Sequence, residues 1–355
     1  MKKIILGLVG LVVFFVAVIY WYVSRFAFDP EPPVVEPDTL RETLSGPVVG
    51  FRDRGVNVWL GIPFARPPKG DLRWRAPRSA VPWSDAMQVL AYGPECPQNM
   101  MGFSGQEDCL YLNVWSPSEV AESLPVMFFI HGGAHHIGSA NAGGLYDGQR
   151  FASNHDVVMV STNYRFGPLG WFSHPGLAGE ETDKLSKKDN SGNYGTLDIL
   201  AALEWVQGNI KNFGGDPDNV TIFGESAHAL ELPFVFGNLD LLETALFLHD
   251  DQAARKLSDR MMSYWAEFAY SGTPARGKDG SLAEWSAWTN EPGAKKLMLL
   301  DSGAGMGNRM VSTSLTYENI AGQLASEARF DPEAKCKLAR RMFEPELSNG
   351  LCIDN

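Results

Sequence analysis

At 355 residues, with 45% hydrophobic and 20% charged residues, the chain has the composition of a globular protein able to bury a large core, not of a disordered one. Its 42 Asp and Glu outnumber 30 Lys and Arg, and the resulting formal charge of -12 repels phosphate backbones, which sets nucleic acid aside as a partner.

Residues 4–23 form an uncharged run rich in Val, Ile, Leu and Phe. At 1.5 Å per residue such a run spans the ~30 Å hydrocarbon core of a bilayer, so a transmembrane helix within residues 1–27 is expected. Lys2 and Lys3 before it, and Tyr20, Trp21 and Tyr22 at its end, favour an N-terminus held in the cytoplasm, with the bulk of the chain on the extracytoplasmic side. The competing reading is a cleaved signal peptide and a secreted domain, with Val16-Ala17-Val18 as a weak cleavage site. Residues 28–44, containing the acidic and proline-rich DPEPPVVEP, read as an extended linker, and residues 45–355 as the globular domain.

Within that domain, short apolar runs at 56–60, 110–115, 126–131, 157–162 and 220–224 are divided by Gly and Pro and predict strands. The runs at 126 and 157 lack polar alternation, as central strands covered on both faces should. Between the last two strands, residues 196–212 have helical apolar spacing, which gives an α/β order. Residues 257–270 predict an amphipathic helix and 296–300 a further strand. Four cysteines suit an oxidising compartment: Cys96 and Cys109 would close a short loop, and Cys336 and Cys352 a second one. Four buried free thiols are the alternative.

The segment VTIFGESA (220–227) sets Ser226 directly after an apolar strand and before an expected helix. There a serine hydroxyl is exposed on a sharp turn, near backbone amides able to stabilise an oxyanion. Upstream stand GIPFARPPKGDLRW (61–74), EDCLYLNVWSP (107–117), HGGAHHIG (131–138) and NYRFGPLGW (163–171). These segments, in this order, resemble the type-B carboxylesterase and cholinesterase family over nearly all of residues 45–300. The resemblance implies an α/β-hydrolase sheet with flanking helices and no metal or organic cofactor. It matches Ser226 to the nucleophile, and Gly133, Ala134 and Ala227 to the oxyanion hole, with Ala134 where the family has a third glycine. It also matches Cys96 and Cys109 to the family's first disulfide.

A serine needs a base, and a base histidine needs an orienting carboxylate. His131, His135, His136 and His155 read as loop or surface histidines without a proton-transfer role. His228 differs, because HALELPFVFGN (228–238) resembles the family segment that carries the catalytic histidine, with Glu231 as a structural acidic partner.

In the family a long segment separates nucleophile from histidine; here only Ala227 does. The simplest reading is a lost block, fusing the two motifs. Strands beyond the nucleophile strand and the acid-bearing segment would then be missing, and no residue aligns with the triad acid, whose loss costs about 10⁴ in turnover in well-studied triads. A strand edge that should be covered would be left open for self-association. The expected function is carboxylic ester hydrolysis through an acyl-enzyme on Ser226, with His228 as base and a small-molecule ester as substrate. The alternatives are a non-catalytic cholinesterase-like binding module and a non-functional deletion product.

Overall fold

The computed structural model describes residues 32–99, 102–119, 123–224, 235–236, 252–287, 297–300, 309–311 and 336. The chain divides into two units, Met1–Val35 and Glu36–Asn355. The expected membrane anchor, residues 4–23, lies outside the described residues; among those that are described, no helix is long and apolar enough to cross a membrane.

The second unit opens with three short strands, β1 (Arg41–Thr43), β2 (Gly46–Val49) and β3 (Phe51–Asp53), then β4 (Val56–Pro63) and β5 (Met87–Gln88). Residues 37–44, which composition assigns to the linker, are thus part of the fold. Thr39 is buried, its Oγ1 accepts from Gly50 N at 2.9 Å, and Trp59 Nε1 donates to its carbonyl at 2.8 Å. A hairpin follows, β6 (Gln98–Asn99) with β7 (Phe103–Ser104), then β8 (Tyr111–Pro117), β9 (Leu124–Ile130), α1 (Gln149–His155) and β10 (Val158–Thr162). After the short helices α2 (Gly167–Gly170) and α3 (Lys184–Asp189) come the long α4 (Tyr194–Asn209), β11 (Gly215–Gly224) and α5 (Gln252–Ser271). A small antiparallel pair, β12 (Leu297–Leu299) with β13 (Arg309–Val311), stands where a single strand is expected at 296–300.

Six strands make the main sheet in the order β11-β9-β10-β8-β4-β3. Its half nearest the site is parallel: β9 lies between β10 and β11, with Val160 opposite Phe128 and Ile222 also opposite Phe128. The other half is antiparallel, through β10 with β8, β8 with β4 and β4 with β3. Alternate side chains of β9 and β10 serve different layers, because successive residues of a strand point to opposite faces. Val126, Phe128, Val158 and Val160 join Ala202, Trp205 and Val206 of α4 in one core. Met127, Phe129, Val157 and Met159 join Phe151 and Ala152 of α1 and Met261, Met262, Ala266 and Ala269 of α5 in the other. That double covering explains the unbroken apolar runs at 126 and 157. Among the described residues β11 pairs only with β9 and forms one end of the sheet, and Ile222 on it is 53% exposed.

Candidate active site

Parallel strands send their C-terminal ends to the same edge, and the register fixes which loops meet there. Gly224, the last residue of β11, is opposite Ile130, the last of β9. The two backbones are so close that a Cβ on Gly224 would stand 2.3 Å from the Ile130 carbonyl oxygen, so a side chain here would push the strands apart. From this point β9 continues into the loop 131–138, and β11 continues toward Ser226. Ser226, Ala227 and His228, with Glu231, lie outside the described residues. Their surroundings on either side are described. Phe223 before them and Phe236 after them stack with ring centroids 6.0 Å apart, and Phe236 also meets Phe129 at 4.9 Å and Tyr146 at 5.9 Å. Phe223 and Phe236 therefore both pack at the C-terminal end of β11.

The loop 131–138 is folded tightly on itself. The Gly133 carbonyl accepts from His136 N at 3.0 Å and Ile137 N at 3.2 Å. Gly133 has φ 112°, and a Cβ there would lie 1.9 Å from the Ile137 carbonyl oxygen, so glycine is required. Ala134 and His135 follow at φ 53° and 60°, a left-handed pair of residues that both carry a Cβ. Each costs of order 1–3 kcal/mol and persists only where neighbours fix it. One consequence is chemical: among the described residues the N–H groups of Gly133 and Ala134 donate to no acceptor. Two adjacent donors with no acceptor among the described residues thus stand beside the end of β11, the arrangement a developing oxyanion needs.

The four described histidines around the loop and on α1 differ in placement, and two of them are not the loop or surface residues expected: His131 is buried in the core and His155 ends a helix. His131 is buried, stacked on Tyr164 at 4.5 Å, with Nδ1 2.9 Å from the Gly132 carbonyl, while Tyr164 Oη donates to the His131 carbonyl at 2.9 Å. Burial holds the imidazole down at about 4, so it is neutral and serves the core. The same burial pushes the Tyr164 hydroxyl up to about 12. His135 is exposed and stacks on Trp171 at 4.4 Å; His136 is exposed. His155 ends α1, away from this edge, with burial and the Lys278 charge holding it at about 4.

Sequence reasoning missed the supports beneath the loop. Arg165, between β10 and α2, is buried with Asp198 of α4; the carboxylate accepts from Nε and Nη2 at 2.7 Å each and from Arg165 N at 3.1 Å. Two residues on, Gly167 N donates to the His135 carbonyl at 2.6 Å. The buried charges within NYRFGPLGW and at Asp198 were the available signal, since such groups are seldom buried unpaired. Cys96 and Cys109 form the expected disulfide. Cys336 is disulfide-bonded, and Cys352 lies outside the described residues. No group of His, Cys, Asp and Glu among the described residues could hold a metal ion.

The model of the carboxylesterase family matches residues 37–230, more than half of the chain. The chain belongs to the carboxylesterase family. It is 46% identical over 204 residues to fumonisin B1 esterase of Sphingopyxis macrogoltabida, a match covering 56% of this chain and 36% of that protein. It is 44% identical over 198 residues to para-nitrobenzyl esterase of Bacillus subtilis, covering 54% of this chain and 38% of the relative. In each case the chain spans little more than a third of the carboxylesterase it matches. A solved structure of a thermophilic PNB esterase superposes with a TM-score of 0.68 at 23% identity, over 77% of this chain and 97% of that one, which establishes the shared α/β-hydrolase fold.

Proposed function

We propose that this carboxylesterase-family chain hydrolyses carboxylic esters through an acyl-enzyme on Ser226. The observation that carries the reading is the pair of N–H groups at Gly133 and Ala134 that have no acceptor among the described residues, in a loop that leaves β9 beside the end of β11. In this reading the Ser226 hydroxyl adds to the ester carbonyl carbon while His228 takes its proton. The carbonyl oxygen becomes an anion bound by the backbone N–H groups of Gly133, Ala134 and Ala227. The tetrahedral intermediate then collapses, the alkoxide leaves with the proton from His228, and water releases the acid by the same steps. No residue aligns with the triad acid, so turnover is expected about 10⁴-fold below that of a complete triad. A missing block after Ala227 accounts for this. It agrees with the family match ending at residue 230 and with β11 standing at the sheet's end among the described residues.

The test is release of p-nitrophenol from p-nitrophenyl acetate by the full chain. Hydrolysis above background that is lost in Ser226→Ala and reduced in His228→Ala supports the reading; equal rates in all three overturn it.

The Cys96–Cys109 bridge supports an extracytoplasmic location, because disulfides persist in oxidising compartments. With it we propose residues 4–23 as the membrane anchor; detergent-dependent extraction from membranes, lost on deleting residues 1–27, checks this. We also propose that two copies associate through the open edge of β11, whose exposed Ile222 borders a groove of about 450 Å³ lined by Phe223, Trp265, Phe268 and Trp285.

A further inference from the structure

We propose that Gln98 is a positioning residue for the oxyanion loop, holding it from outside through Gly138. The inference rests on reading Gly133 and Ala134 as the oxyanion donors. The side-chain amide of Gln98 engages both backbone groups of one residue: Gly138 N donates to Oε1 at 2.8 Å, and Nε2 donates to the Gly138 carbonyl at 3.2 Å. Gly138 closes the loop. At φ 121° it approaches the loop's start so closely that a Cβ would lie 2.6 Å from both the Gly132 carbonyl oxygen and His131 Nδ1. Whatever fixes Gly138 therefore fixes the first turn, where Gly133 and Ala134 present their N–H groups.

The loop needs such a hold. Ala134 and His135 both sit in the left-handed region, and their strain is sustained only if the flanking backbone cannot relax. Gly167 N and the Trp171 ring hold His135 from one side. Gln98 holds the other. The exit at Ala140 is fixed separately, by Ala140 N donating to Asn163 Oδ1 at 2.7 Å. Gln98 itself is carried on a rigid base, two residues from Cys96, whose bridge to Cys109 lies wholly in the core. The residue type is also specific. Glutamine donates and accepts at once, glutamate offers only the acceptor when ionised, and alanine offers neither.

The experiment uses the full chain and two variants, Gln98→Ala and Gln98→Glu, with two readouts. Amide hydrogen exchange of the peptide covering 131–138 should rise about tenfold in Gln98→Ala, with a smaller rise in Gln98→Glu, while the β10 peptide 158–162 keeps its protection. With p-nitrophenyl acetate, kcat should fall about tenfold in Gln98→Ala at an unchanged KM, the signature of an interaction realised in the transition state. Unchanged exchange in 131–138, or an equal rise in 158–162, overturns the proposal. If Gln98→Ala loses its cooperative melting transition, Gln98→Glu decides by the same criteria. A wild-type chain with no esterase activity would refute the catalytic reading alone, since exchange decides the positioning role independently.

Discussion

Replacing Asp198 by asparagine removes one charge from beneath the oxyanion loop while keeping the shape of the side chain. In the native protein the carboxylate accepts three hydrogen bonds from Arg165, and Arg165 Nη2 donates a fourth to the Arg75 carbonyl at 2.9 Å. Both side chains are almost entirely buried. Burial holds the Asp198 carboxyl above the usual carboxylate range even against the pull of the guanidinium, so desolvation is the dominant cost of this pair. The neutral amide would leave the guanidinium buried without a counter-charge, and such a loss costs about 3–5 kcal/mol. The double variant Arg165→Met with Asp198→Leu removes both charges. Gains of about 1–4 kcal/mol for apolar replacement are there offset by about 1–3 kcal/mol for the Arg165 N–H left without its acceptor. The double variant should therefore lie between about 2 kcal/mol less stable and about 3 kcal/mol more stable than wild type. Urea unfolding of the wild type, Arg165→Met, Asp198→Leu and the double variant measures the coupling, with Asp198→Asn unfolded beside them. A cost under about 1 kcal/mol for Asp198→Asn, or a double variant as damaged as the single one, would show that the buried pair is not held by its charges.

Acid should weaken the fold through two of the described histidines, His131, which is buried, and His155, which is half-buried. His131 and His155 hold their protons only near pH 4 when folded but near 6.5 when unfolded, so the unfolded state takes up more protons between those values. The contribution is complete above pH 6.5 and is lost as pH falls, by about 2 kcal/mol per histidine between pH 7 and 5. His131→Phe should shrink that loss by one histidine's share, and an identical pH slope in the variant would count against it. Phe236→Ala empties the site where the ring meets Phe129, Phe223 and Tyr146, and should cost about 3–5 kcal/mol and abolish any labelling of Ser226; a variant that melts with wild type contradicts the packing of Phe236 against these three rings. For the open sheet edge, light scattering should report a dimer for the wild type and a monomer for Ile222→Lys, and a monomeric wild type at tens of micromolar disproves the association.

Much of this fold is written in local pattern. The runs at 126 and 157 lack alternation because helices cover both faces of β9 and β10, and 220–224 is recognisable as the strand before GESA because its apolar residues pair with β9. Ends were less legible. The helix expected at 257–270 begins at Gln252, and β11 begins at Gly215, in a DPDN stretch whose polar residues hide an edge strand. Residues 37–44 read as linker because their composition is polar, whereas long-range bonds to Gly50 and Trp59 make them part of the fold. The tight loop 131–138 was legible as a glycine-rich motif in HGGAHHIG, yet its supports were not. Gln98 and Asp198 reach it from 40 and 33 residues away along the chain, to Gly138 and Arg165, and no periodicity carries such contacts.

If Ser226 is an activated nucleophile beside a working oxyanion loop, a fluorophosphonate should react with it in the folded full chain. Peptide mass analysis of the treated protein should then find one adduct per chain, carried by Ser226 and absent from Ser226→Ala. Folded protein that remains unmodified, or an adduct on another residue, would overturn the assignment of Ser226 as the nucleophile.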